Sequence, residues 1–89
     1  MYSVIYSEKA VKALQKLDKY TAAMLYGWID KNLAECSNPR IQGKALAYEK
    51  KEYWRYRVGS YRLIADIQDN LIRIEIINVG HRREIYERW

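Results

Sequence analysis

The stretch Tyr53-Trp54-Arg55-Tyr56-Arg57-Val58-Gly59-Ser60-Tyr61-Arg62-Leu63-Ile64-Ala65-Asp66-Ile67 decides the fold. On both sides of Gly59-Ser60, apolar residues alternate with polar ones, the period of a half-buried strand, and the two residues between have the length and type of a tight hairpin loop. That loop sets a register. Val58 falls opposite Tyr61, Arg57 opposite Arg62, Tyr56 opposite Leu63 and Arg55 opposite Ile64, with paired side chains sharing a face. One face receives Tyr56, Val58, Tyr61, Leu63, Ala65 and Ile67; the other receives Arg55, Arg57 and Arg62.

Reading toward the C-terminus, Asp69-Asn70 is a second two-residue turn signal, leading into a strand over Leu71 to Val79. This turn predicts Asp66 opposite Arg73 and Leu63 opposite Ile76, and adds Ile72, Ile74 and Ile76 to the apolar face. Reading toward the N-terminus, Arg40 to Glu52 has no sustained period and contains Gly43, which predicts a basic loop with at most a short strand or turn at Ala45 to Tyr48. Before it, Met24, Leu25, Trp28, Ile29 and Leu33 follow helical spacing up to the Ser37-Asn38-Pro39 turn. Ala10, Val11, Ala13, Leu14 and Leu17 do the same between an N-cap at Ser7 and a break near Asp18. Residues Tyr2 to Tyr6 read as a strand. The expected architecture is α+β, one domain over 1–89: an N-terminal strand, a two-helix hairpin, and a three-strand antiparallel meander with the helices on one sheet face.

The 89 residues are 49% hydrophobic and 30% charged, with only four Gly and one Pro, which excludes disorder and low-complexity tracts. Cys36, the only cysteine, reads as a buried or half-buried thiol, and one Cys with one His predicts no metal site. The N-terminal segment lacks a basic region followed by an apolar stretch, so the expected location is cytoplasmic, without a membrane. The net charge of +5 is concentrated. Residues 40–62 carry Arg40, Lys44, Lys50, Lys51, Arg55, Arg57 and Arg62 against Glu49 and Glu52, a surplus equal to that of the whole chain.

Arg57 opposite Arg62, with Arg55 on the same face, costs stability through like-charge repulsion. Two readings account for it: an anion site whose guanidinium forks hold phosphate oxygens, or a solvated basic face. After the last strand, Val79-Gly80-His81-Arg82-Arg83-Glu84-Ile85-Tyr86 adds two arginines, the only His and a Tyr, with Gly80 permitting a bend toward the arginine face. Pattern alone makes Tyr86 a packing aromatic, His81 an exposed strand-end residue, and Trp28 and Trp54 core rather than base-stacking platforms. The series Lys9, Lys12, Lys16, Lys19 reads as the solvated side of a helix.

The segment Trp54 to Arg62 and the ending Val79 to Tyr86, in this order of elements, closely resemble the RelE branch of the RelE/ParE toxin superfamily. The resemblance covers almost the whole chain and is specific in these two blocks. It implies a type II toxin that cleaves mRNA in the ribosomal A site without metal or other cofactor, so inhibiting translation. By motif, it assigns catalytic roles to Arg55, Arg57, Arg62, Arg82 and Tyr86, with His81, and more weakly Glu52, as rival acid or base. Arg40, Lys44, Lys50, Lys51 and Arg83 are the expected RNA-binding residues. The implied partners are the ribosome, mRNA and a cognate antitoxin, with the toxin monomeric alone and part of a larger complex when neutralised. Two rivals stay open: a ParE-like gyrase inhibitor without RNase activity, and a non-catalytic basic nucleic-acid-binding domain.

Overall fold

A computed structural model describes residues 1–85, with only the backbone of Tyr48. Strand β1 (Ser3–Tyr6) leads into helices α1 (Glu8–Gln15) and α2 (Lys19–Asn32). Strands β2 (Lys44–Tyr48), β3 (Lys51–Val58), β4 (Tyr61–Gln68) and β5 (Arg73–His81) follow. They form one sheet in the order β1-β5-β4-β3-β2, with β1 parallel to β5 and every other pair antiparallel. The α+β arrangement is the expected one.

Both helices start at the residues whose chemistry calls for it. Ser7 Oγ accepts the Ala10 N–H (3.0 Å) and donates to the Ile77 carbonyl (2.7 Å), so one hydroxyl caps α1 and ties it to β5. Asp18 accepts from the Thr21 amide (3.1 Å) and hydroxyl (2.6 Å), bonds that hold its carboxyl below the usual range. Ala10, Leu14, Leu25, Ile29 and Leu33 from the helical region pack on Tyr56, Val58, Leu63, Ala65, Ile74, Ile76 and Val79 of the sheet. Ile64 is equally buried but lies on the opposite face, across from Arg55 and Asn78, outside that cluster.

The β3–β4 register is the one the Gly59-Ser60 loop predicts, Arg57 facing Arg62 included. Two expectations are corrected. The basic loop contains a true strand: β2 pairs with β3, making the meander four strands rather than three, and Lys44 sits across from Arg55. The second turn is longer than Asp69-Asn70. A 3-10 turn over Asp69–Leu71 is followed by Ile72 in the left-handed region (φ 48°), exposing Ile72 rather than burying it. Asp66 therefore faces Glu75, not Arg73, and Leu63 faces Val79, not Ile76, with a register shift between Ile64 and Ala65. Lys51 bonds Asp66 (3.0 Å), and Gln68 bridges Asp66 and Glu75, offsetting the like charges.

Residues 39–43 are pinned at several points. The buried Tyr56 hydroxyl donates to the Pro39 carbonyl, and Trp54 Nε1–H to that of Gln42 (2.7 Å). Arg40 grips Asp69 with two bonds of 3.0 Å, and Tyr2 donates to the same carboxylate (2.6 Å). Gly43 adopts φ 83°, and a Cβ there would stand 2.3 Å from the Arg55 carbonyl oxygen. No helix among the described residues is long and apolar enough to cross a membrane.

Two glycines should respond with opposite sign. Gly43→Ala should lower stability by at least about 1 kcal/mol, because both its dihedral and the Arg55 backbone forbid a side chain. Gly27→Ala, inside α2 with open space around it, should raise stability by about 1 kcal/mol. Urea midpoints measure both. Asp69 gives a pH test: bonds from Arg40 and Tyr2 depress its folded pKa. Its contribution is present above the ordinary Asp value of about 3.9 and is lost as pH falls through the lower folded value. The stability difference between the unmutated chain and Asp69→Asn should therefore shrink on acidification.

Candidate functional site

Because side chains alternate along a strand, burying Tyr56, Val58 and Leu63 forces Arg55, Arg57 and Arg62 to the outer face. Strand β2 begins at Lys44, opposite Arg55, so β3 has an open edge from there toward its turn. A cleft of about 380 Å³ wraps this edge, lined by Trp28, Gln42, Gly43, Lys44, Arg55, Tyr56, Arg57 and Arg62. Among the described residues, four cations and no carboxylate line it. Arg62 directs one guanidinium nitrogen at the Tyr61 (2.9 Å) and Gly59 (3.2 Å) carbonyls, which fixes its stem over the turn. Arg57 is exposed and has no carboxylate partner among the described residues. Tyr56 is no base here: burial pushes its hydroxyl far above the ordinary phenol value, and its proton is given to Pro39.

The other candidates are distributed differently. Arg40 is engaged by Asp69 and lies over the Trp54 ring (5.9 Å), and Lys51 is engaged by Asp66 and lies over the Tyr53 ring (5.3 Å). Lys50 and Arg83 are exposed, and Glu52, opposite Ala47, shares the face of Trp54 rather than that of the arginines. His81 pairs with Tyr61 on the helix-side face, its ring edge-on to the Tyr61 ring at 5.7 Å, while Nδ1 accepts the Arg83 N–H (3.3 Å). It lines a second, larger cleft of about 910 Å³ beside α1, with Lys9, Lys12 and Lys16. The bend that Gly80 was expected to make comes after His81. The Arg82 N–H docks on the Ser60 carbonyl (2.8 Å) at the β3–β4 turn, and Ile85 packs against Gly80, which pairs with Arg62. Arg82 thus begins beside the arginine hairpin. Tyr86 lies outside the described residues. Among those described, no three His, Cys, Asp or Glu side chains converge to hold a metal ion.

Residues 4–86 match the family described as the ParE toxin of the type II toxin-antitoxin system, parDE. The chain belongs to this toxin family. Within the RelE/ParE superfamily it is of the RelE type, as solved structures indicate. A chain of the RelBE2 toxin-antitoxin complex from Mycobacterium tuberculosis superposes with TM-score 0.81 and 29% identity, over 93% of both chains. One from the RelE-RelB complex of Pyrococcus horikoshii OT3 gives 0.72 and 27%, over 93% of this chain and 97% of that one. One from the intact E. coli RelBE complex gives 0.72 and 24%, over 91% and 96%. No match is found among curated protein sequences.

In this RelE-type toxin, the residues brought together are Arg55, Arg57, Arg62 and Lys44. Sequence reasoning grouped Lys44 with a loop and favoured a core role for Trp28 over a base-stacking one, whereas Trp28 meets the Tyr56 ring (5.6 Å) and also lines the cleft. The signal for β2 is weak: Lys44-Ala45-Leu46-Ala47 does not alternate polar with apolar residues, and an edge strand needs no such pattern. Arg57→Ala should leave stability unchanged or slightly improved, since it relieves repulsion and breaks no ion pair. It should also lower the salt slope of polyanion binding by about 1, measured by titration with a single-stranded oligonucleotide at several salt concentrations.

Proposed function

We propose that this toxin is a metal-independent endoribonuclease that cleaves mRNA in the ribosomal A site, acting in the cytoplasm and silenced by a cognate antitoxin. The observation that carries the reading is the cleft that gathers Lys44, Arg55, Arg57 and Arg62, with no carboxylate among its described lining residues. Such a site suits a transition state whose negative charge is spread over phosphate oxygens. The ribose 2′-oxygen attacks the adjacent phosphorus, the bond to the 5′-oxygen breaks, and the products are a 2′,3′-cyclic phosphate and a 5′-hydroxyl. Arg55, Arg57, Arg62 and Lys44 balance the charge on the phosphorane oxygens. Tyr86 takes the 2′-hydroxyl proton, a role that requires neighbouring arginines to lower a phenol pKa of about 10. Arg82 adds charge near the leaving oxygen, which takes its proton from water, because a guanidinium holds its own proton above about 12. His81 is the rival acid or base, disfavoured because it lines the other cleft, beside α1, and not the one that holds the three arginines.

Adding the protein to a translating extract and mapping RNA ends should give cuts positioned by codon, with 5′-hydroxyl downstream ends. Tyr86→Phe should slow cleavage about a hundredfold or more, and His81→Ala much less. Arg62→Ala should fold and lose most activity. DNA breakage with gyrase and intact mRNA would instead establish the ParE-type activity that the name of the matched family carries.

A further inference from the structure

The arginine cleft has a second wall that phosphate chemistry leaves unused. Trp28 enters it from α2, half-exposed, with the Tyr56 ring behind it at 5.6 Å and an interplanar angle of 53°. A chain of amide bonds fixes this wall. Asn32 Nδ2 donates to the Trp28 carbonyl (2.9 Å), Gln42 Nε2 donates to Asn32 Oδ1 (2.9 Å), and the Gln42 carbonyl accepts from Trp54 (2.7 Å). Gln42 lines the cleft, and among the described residues its Oε1 accepts no bond. An indole lining the same cleft as a group of cations matches the two halves of a nucleotide, a π-faced base and an anionic phosphate. The cleft volume of about 380 Å³ is at the small end of ligand sites, which run from roughly 300 to 1,000 Å³.

We infer that Trp28 forms a nucleobase subsite, stacking one base of the RNA whose phosphate is held by Arg55, Arg57, Arg62 and Lys44. This rests on the reading of the cleft as an RNA site and adds a specificity residue on α2 to it. Trp28 binds the base next to the phosphate, and Gln42 Oε1 accepts from a donor on its edge. The subsite is sequence-tolerant in stacking and selective only through that one acceptor.

The test uses the full chain and 2′-O-methyl RNA oligonucleotides, which lack the attacking hydroxyl and survive intact, beside abasic chains of equal length and charge. The unmutated protein should bind the base-bearing chain roughly five- to a hundredfold more tightly than the abasic one. Trp28→Leu should bring that ratio close to one without changing affinity for the abasic chain, and Trp28→Tyr should retain most of the ratio. In the unmutated protein, the Trp28 indole N–H resonance should shift on adding a nucleoside monophosphate and stay put with inorganic phosphate, a readout that does not depend on a variant folding. A ratio near one in the unmutated protein, an unchanged ratio in folded Trp28→Leu, or an indole resonance indifferent to the nucleotide would overturn the subsite. The underlying RNA-site reading fails separately, when Arg57→Ala leaves affinity for the abasic chain unaltered.

Discussion

Everything about the site depends on the two-residue period that couples the faces of β3 and β4. Tyr56, Val58, Leu63 and Ala65 are held on the helix side by their own burial, and this puts Arg55, Arg57 and Arg62 on the other side at fixed spacing. The repulsion between Arg57 and Arg62 is thereby sustained by apolar contacts on the opposite face of the same strands. A charged cluster that would disperse on a flexible loop is kept concentrated here, ready for an anion without reorganisation.

The edge of the sheet adds what the hairpin lacks. Strand β2 stops short of Arg57, so the site opens sideways rather than only outward, and the pinned residues 39–43 bring Lys44 and Gln42 to its rim. Gly43 is the point where this loop presses closest to β3. The result is a cleft with an apolar wall from α2 and a cationic wall from the sheet, which no single element of the chain contains.

The hairpin was legible because alternation and a two-residue loop both act locally, and the same pattern gave the faces of the three arginines. The β4–β5 pairing was not. Ile72 is β-branched and sits in a run of aliphatic residues, so it reads as strand, yet it takes the left-handed conformation that such residues avoid. The pairing of Asp66 moved from residue 73 to residue 75, a shift of two, which is why Ile74 and Ile76 still reached the core. The irregularity between Ile64 and Ala65 then changes the phase by one, which puts Val79 in the core and His81 on the helix side. The expected fold class is the one found, and Lys44 joins the site that the hairpin sequence marked. Tyr86 falls beyond the described residues.

The parallel pairing of β1 with β5 joins Ser3–Tyr6 to Arg73–Ile76, the first strand of the chain to the last. Helix α1 is stitched to the same strand by Ser7, whose bond spans seventy positions of sequence. Contacts of such long separation form late, after the entropy of closing the intervening chain has been overcome. A growing polypeptide can form the β3–β4 hairpin early, but it cannot seal the core beneath the cleft until β5 is available. For a toxin of a toxin-antitoxin system, this topology makes a closed core wait on β5, and gives an antitoxin already present in the cell time to meet the growing chain.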